Sequence, residues 1–245
     1  MKAFLLAAGL GTRLKPFTDH HPKALAKVKG KTLLEMNIRN LQRFGVFDII
    51  VNVHHFGAQI IEFIKKEDGF GSRIEISDEQ NEVLETGGCL KKATPLLEQE
   101  KTFLVMNVDV LSNFNLDKML KQHYATKPIA TLAVQKRTSS RYFLFNKKDQ
   151  LCGWQNIKTG VQKIPVQIEN PEKNFRQLAF SGIQLLDQEI LKKIKLEGKF
   201  SLVDLYLALC ASENIMAWNH SNDIWLDVGT PQSLKQAETA CASFI

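Results

Sequence analysis

The segment Leu6–Lys23, LAAGLGTRLKPFTDHHPK, constrains this chain more than any other stretch. It continues an apolar, strand-like start over residues 2–8 and then gathers Gly9, Gly11, Arg13 and the pair Pro22-Lys23. A loop of that composition suits an anion, because glycines let the backbone approach it with N–H groups turned inward while Arg and Lys supply fixed positive charge. Gly9-Leu10-Gly11 alone occurs in many turns; the whole run, with Thr12, Arg13, Pro16, Thr18 and Lys23 at these spacings, is far more specific. It contains no GxxxxGK followed by Ser or Thr, so a P-loop ATPase is not supported. The third glycine of GxGxxG is missing too, since Leu14 follows Arg13.

Downstream, strand and helix signals alternate. Thr32 is placed to cap a helix whose apolar residues Leu33, Leu34, Ile38, Leu41 and Phe44 recur at helical spacing until Gly45. Residues 47–53 read as a strand, 57–66 as a helix carrying Ile60, Ile61 and Ile64, and 73–77 as a third strand. A helix near 87–97 and a strand over 102–106 follow. Such alternation predicts right-handed crossovers and an α/β, Rossmann-like, mainly parallel sheet flanked by helices, with a nucleotide over the carboxyl ends of the strands. The second half changes rhythm, with shorter strands at 129–135, 141–146, 151–154 and 161–168 joined by turns at 146–149 and 158–160. Helices near 187–195 and 201–213, a strand pair within 214–227 and a last helix from about 231 complete the reading.

A chain of 245 residues can bury a substantial core, and a net charge of +6 is mild for that length. No Lys/Arg block is long enough to suggest nucleic-acid binding, and Lys65-Lys66 and Lys192-Lys193 read as exposed helix positions. Cys89, Cys152, Cys210 and Cys241 lie far apart without CxxC or Cys/His ligand spacing, which argues against structural zinc and for free thiols in a reducing cytosol. No stretch approaches transmembrane length, and Gly9–Arg13 interrupts the apolar start without the cleavage pattern of a signal peptide. The expected location is cytoplasmic, with no membrane partner.

The long loop resembles the N-terminal signature of the sugar-1-phosphate nucleotidyltransferases, LAAGxGTRLxPxTxxxPK, and the likeness returns at several later points. It implies a nucleotide-diphospho-sugar transferase fold in one domain, 1–245, with 1–128 mainly binding nucleotide and a β-rich 129–245 mainly binding sugar phosphate. It also implies an NTP and a sugar 1-phosphate as substrates, Mg²⁺ as cofactor, and a monomer or homodimer. Ala7, Ala8, Gly9, Gly11, Thr12, Arg13 and Lys23 would then line the nucleotide.

Asp109 follows an apolar strand in Met106-Asn107-Val108-Asp109. A carboxylate there suits Mg²⁺, which prefers hard oxygens shared with phosphates, although turn or cap roles are the ordinary use of such an Asp. The resemblance makes Asp109 a metal aspartate and puts Asn107 beside the nucleotide. In Trp225-Leu226-Asp227-Val228-Gly229-Thr230-Pro231, Thr230 can cap a helix that Pro231 opens. The family's W-x-D-x-G-T-P segment gives Asp227 as the second metal aspartate, so that Asp109 and Asp227 would hold the ion and touch the sugar phosphate.

Glu79, Glu85, Thr86 and Gly87 match an E-x-x-L-x-T-x-G stretch that reads the base edge in the family, where glycines opening a helix let the backbone approach a base or ribose. Uracil and guanine both offer a ring N–H, so base choice stays open. On the sugar side, Phe180-Ser181-Gly182 matches an (F/Y)-(S/T)-G element in which Gly182 admits the sugar. Glu169-Asn170-Pro171 resembles E-K-P with Asn170 where a lysine is usual, which Arg141 or Arg176 could offset. His54-His55 is read as a strand end, because adjacent strand residues face opposite sides.

The implied reaction is attack by a sugar 1-phosphate oxygen on the α-phosphorus of an NTP. Lys23 would hold the phosphates, and Arg13 with the Gly9–Thr12 amides would hold the departing pyrophosphate. Arg13, Lys23 and Asp109 are thus the catalytic candidates. LETGG and FSGI look most like N-acetylmuramate 1-phosphate uridylyltransferases of peptidoglycan recycling, with UTP favoured and GTP second. Arg141 or Arg137 would then read the lactyl carboxylate of the muramate. Mannose- or heptose-1-phosphate guanylyltransferases are the alternative. Another class is a phosphocholine cytidylyltransferase, needing an aromatic cage from residues such as Trp154, Tyr142 and Trp218. A non-catalytic regulator would usually lack one of Arg13, Lys23, Asp109 or Asp227, and all four are present.

Overall fold

The computed structural model describes residues 1–79, 83–166 and 175–240. In chain order the elements are β1 (Lys2–Leu6), the ribbon β2 (Lys27–Val28) and β3 (Lys31–Thr32), α1 (Leu33–Gln42), β4 (Asp48–Val53), α2 (Gly57–Lys66) and β5 (Arg73–Asp78). Then come α3 (Glu85–Lys92), α4 (Thr94–Leu97), β6 (Thr102–Asn107), β7 (Val110–Ser112), α5 (Leu116–Thr126) and β8 (Ala130–Gln135). The remainder is β9 (Arg141–Phe145), β10 (Leu151–Asn156), β11 (Val161–Lys163), β12 (Arg176–Asp187), α6 (Glu189–Lys192), α7 (Leu202–Leu209), β13 (Ile215–Asn219), β14 (Trp225–Asp227) and α8 (Pro231–Ala240).

The central sheet runs β5-β4-β1-β6-β12-β8-β13, and only β12 opposes the common direction. Alternate residues of a strand face opposite sides, and the core divides accordingly. Phe4, Ile50, Phe103 and Val105 pack on one face with Leu90 of α3 and Leu205 and Tyr206 of α7. Ala3, Leu5, Val51 and Leu104 pack on the other with Ile38 and Leu41 of α1, Ile60 of α2 and Met119 of α5. This is why β1 reads as an unbroken apolar run, as strands covered on both faces do. A third cluster ties the ends of the chain together, with Leu14 of the signature loop packing among Val28, Leu33, Leu111, Val228 and Ala237 of α8.

The predicted fold class holds, and several elements depart in detail. Thr32 caps α1 as expected, its hydroxyl accepting from the Glu35 amide at 3.1 Å. The helix expected at 87–97 is split into α3 and α4, with Pro95 in the opening turn of the second, where its missing N–H costs nothing. The helix expected at 187–195 shrinks to α6 because β12 continues through Asp187. The strands expected as a pair within 214–227 do not pair with each other. β13 joins β8 in parallel, while β14 runs antiparallel to β7, bringing Asp227 opposite Val110. Neither β7 nor α5 was anticipated, and the strand expected to reach 168 ends at Lys163.

β12 serves two neighbourhoods. Ile183–Asp187 pairs with β6 and Arg176–Leu178 with β9, so the leaf β9-β10-β11 folds away from the central sheet. The bend falls at Gly182, whose φ of +72° suits glycine, where the register against β8 shifts. Among the described residues no helix is long and apolar enough to cross a membrane.

Candidate active site

Two cavities open at the carboxyl ends of the parallel strands and share Asn107 and Asp109 as a common wall. The first, about 380 Å³, lies between the signature loop and the start of α3, with Ala7, Ala8, Gly9, Glu79, Thr86 and Ser201 on its lining. The second, about 310 Å³, lies towards β9 and β14 and is lined by Arg13, Arg137, Arg141, Trp154, Trp225 and Asp227 among others.

The signature loop owes its shape to a residue that sequence reasoning missed. Asn52, buried near the end of β4, accepts hydrogen bonds from the Ala7 and Ala8 amides at 2.5 and 3.2 Å and donates to Glu79 at 2.7 Å. The Ala7 and Ala8 N–H groups are therefore engaged by protein. The available signal was a polar side chain in an otherwise apolar strand, Asp48-Ile49-Ile50-Val51-Asn52-Val53. Beyond Gly9 the chain turns at Gly11, with φ at +62°; a Cβ there would stand 2.8 Å from Thr18 and 3.1 Å from Lys23. The Thr18 hydroxyl donates to the Gly11 carbonyl at 2.9 Å, and Leu14 anchors the short helical turn Thr12–Leu14. Gly11 and Thr12 form the turn that shapes the loop.

Lys23 is almost fully buried and ion-pairs through Nζ with Asp109 on the shared wall. Arg13 lines the second cavity, 3.6 Å from Asp227, and a Cβ on Gly229 would stand 2.7 Å from its guanidinium. The two aspartates come together through the β7–β14 ribbon, where the Val228 amide also donates to the Asp109 carbonyl at 2.8 Å.

Among the described residues no cluster of three or more His, Cys, Asp or Glu gathers, so a closed all-protein metal site is not offered. Two carboxylates do face one cavity, and Asp227 Oδ1 is buried without a hydrogen-bond partner. That donor set fits a hard divalent cation which takes its remaining ligands from phosphates and water.

At the far end of the first cavity Glu79 is 1% exposed, and burial pushes its carboxyl above the usual carboxylate range, partly opposed by the hydrogen bond from Asn52. Glu85 and Thr86 line the cavity, with the Thr86 hydroxyl also accepting from the Leu202 amide at 2.9 Å. Gly87 packs on Phe200, whose ring would stand 2.4 Å from an added Cβ, and its amide donates to the Phe200 carbonyl. A neighbouring segment of this chain thus accounts for the glycine.

Gly182 lets β12 pass close to Asn107, whose Nδ2 would stand 2.8 Å from an added Cβ. Beneath it lies an unanticipated buried network. His220 Nε2 and Ser181 Oγ are 2.7 Å apart, Asp223 is 3.5 Å from His220 Nδ1, and Trp225 Nε1 donates to the Ser181 carbonyl at 2.8 Å. Burial, helped by the Arg137 charge, pushes the His220 imidazole down to about 4, so it is neutral at physiological pH. Arg141 is exposed on the second cavity, whereas Arg176 is engaged in an ion pair with Asp149. Glu169 and Asn170 lie outside the described residues. Cys89, Cys152 and Cys210 are buried free thiols.

The geometry therefore offers two adjoining cavities, Lys23 in the first paired with Asp109 of the shared wall, Arg13 in the second, and a pair of carboxylates, at the edge of an α/β sheet where phosphates bind. This chain is 28% identical to the N-acetylmuramate alpha-1-phosphate uridylyltransferase of Neisseria meningitidis serogroup B over the full length of both proteins. It is 29% identical to the mannose-1-phosphate guanyltransferase of Yarrowia lipolytica, over 95% of this chain and 61% of that protein. In fold it is similar to HddC from Yersinia pseudotuberculosis complexed with GMP-PN, with a TM-score of 0.78 at 21% identity and 98% of each chain covered. The nucleotidyl transferase family pattern matches residues 2–243, and the chain belongs to that family.

Proposed function

We propose that this nucleotidyl transferase joins an NTP to a sugar 1-phosphate, releasing pyrophosphate, with UTP and N-acetylmuramate 1-phosphate as the substrates. The observation that carries this reading is the pair of cavities meeting at Asn107 and Asp109. Two anionic reactants held there would meet at one point, beside Lys23. A full-length match to a uridylyltransferase of N-acetylmuramate 1-phosphate supports the choice of substrate. GTP with mannose 1-phosphate or a heptose 1-phosphate is the second reading, supported by the similarity to a mannose-1-phosphate guanyltransferase.

In the proposed reaction an oxygen of the sugar phosphate bonds to the α-phosphorus and the bond to the bridging β-phosphate oxygen breaks. The nucleophile is already ionised at neutral pH, so no general base is needed, and catalysis reduces to alignment and charge neutralisation. Lys23 lies between the cavities and would draw both phosphates towards each other. Arg13 and the Gly9–Thr12 amides would neutralise charge on the leaving pyrophosphate. Asp109 and Asp227 would hold Mg²⁺, which supplies Lewis-acid and templating chemistry when bound. Glu79, Glu85 and Thr86 would read base and ribose, and Gly182, Arg141 and Glu169 would contact the sugar phosphate. The enzyme would work in the cytoplasm, as monomer or homodimer, in the recycling of cell-wall material.

The test is pyrophosphate release by purified protein with Mg²⁺, each NTP being paired with N-acetylmuramate 1-phosphate and with mannose 1-phosphate. Release with UTP and the muramate alone is expected. Release confined to GTP and mannose 1-phosphate would move the assignment to the second reading, and silence across all pairs from folded protein would overturn both.

A further inference from the structure

We propose that Arg137 selects acceptors carrying a carboxylate on the sugar in addition to the 1-phosphate. This deepens the function proposed above and rests on its reading of the second cavity as the sugar site. Arg137 follows β8 directly, and its guanidinium lies 3.8 Å from the centroid of the Trp225 ring. Nη2 donates to the Phe180 carbonyl at 2.8 Å, so stacking and hydrogen bond together fix the plane of the group. Asp227, across the second cavity, acts on its charge electrostatically, but among the described residues no carboxylate comes within ion-pair distance of it, and the buried Nε has no hydrogen-bond partner.

A cation that is partly withdrawn from water, oriented and unpaired costs folding free energy, and an anionic ligand would recover part of that cost. Arg13, by contrast, has Asp227, and Lys23 has Asp109. The surroundings give the direction. Arg137 and Tyr142 also line an adjoining, more open cavity of about 380 Å³, together with Lys136, Thr138 and Gln177. Neither aspartate belongs to that outer space. A sugar whose phosphate reaches the cation that Asp109 and Asp227 would hold can therefore extend a substituent past Arg137 into a lobe with two cations and no acid. A planar guanidinium held in one orientation suits a planar carboxylate. Arg141 also reaches the cavity, but it is exposed, and among the described residues no hydrogen bond or aromatic ring fixes its side chain.

The experiment compares kcat/KM within two pairs of acceptors of which one member carries a carboxylate: N-acetylmuramate 1-phosphate, with its lactyl ether, against N-acetylglucosamine 1-phosphate, and glucuronic acid 1-phosphate against glucose 1-phosphate. Pyrophosphate release is measured with whichever of UTP and GTP the wild-type enzyme uses. In at least one pair the acid should be preferred by about 30-fold or more, and Arg137→Gln should erase most of that ratio, as loss of a charged hydrogen bond does. Arg137→Lys should restore only part of it. Preference for the neutral member in both pairs, or an unchanged ratio in folded Arg137→Gln, overturns the proposal. Should Arg137→Gln fail to fold, the wild-type ratios alone decide. Turnover of glucuronic acid 1-phosphate without the muramate would keep the role of Arg137 and remove the muramate assignment. Muramate turnover with an unchanged ratio would do the reverse.

Discussion

The wall of the first cavity comes from consecutive residues at the ends of neighbouring parallel strands, whereas the wall of the second is assembled from segments that meet only through long-range pairing. Around the first, β1 delivers Ala7–Gly9, β4 delivers Asn52 and β6 delivers Asn107, because parallel strands discharge their loops at one edge. Around the second, Arg137, Gly182 and Asp227 depend on the bend of β12 and on the register of β7 against β14. The difference teaches where chemistry and stability can be separated. On the first wall Asn52 ties the loop to β4, while the strands themselves are held by backbone pairing. On the second, the residues that shape the cavity also hold the strands in place.

Four experiments would break or sharpen that contrast. The largest effect is expected on the shared wall, where Lys23→Ala should lower kcat about 1,000-fold through lost electrostatic stabilisation while leaving a folded protein. Steady-state kinetics beside a thermal melt would show it, and near-normal turnover would remove Lys23 from the mechanism. Next, Gly182→Val should cost about 3 kcal/mol in urea unfolding, since valine is strained at positive φ and its Cβ would meet Asn107. A loss below about 1 kcal/mol would refute the coupling of shape to stability on the second wall.

The third concerns pH. His220 is neutral in the fold and its value is lowered from 6.5 to about 4, by burial first and the Arg137 charge second. Above pH 6.5 folded and unfolded chains carry the same neutral imidazole. As pH falls, the unfolded chain takes up the proton first, so this group's share of stability declines by up to about 3 kcal/mol and levels off near pH 4. The buried His123, lowered by desolvation, acts in the same direction. Unfolding free energy measured from pH 7 to 4 should be flatter in His220→Gln than in the wild type, and parallel curves would contradict the assignment. The smallest effect is the cap of α1, where Thr32→Ala should cost about 1 kcal/mol with kcat within twofold, read from the same melts and assays.

How much was legible in the sequence follows the same division. The signature loop could be read because its glycines, Arg13 and Lys23 are contiguous, and the parallel sheet because its strands are unbroken apolar runs. Asn52 went unnoticed since its partners, the Ala7 and Ala8 amides, become neighbours only when β1 and β4 pair. The strands within 214–227 read as a pair by proximity, yet β13 pairs with β8 and β14 with β7, both far earlier in the chain. The packing of Gly87 on Phe200 also went unseen, because Phe200 is remote in sequence. The Ser181–His220 contact had no local signal at all.

The third cluster has a consequence for how the protein is made. Leu14 sits in a loop that the ribosome delivers long before its packing partners Val228 and Ala237. β12 likewise enters between β6 and β8 only after both have been synthesised. Domains generally fold as units. The loop that reads as the protein's signature therefore emerges before its packing is complete, and until α8 docks Leu14 has only its other partners, such as Val28, Leu33 and Leu111, to cover it.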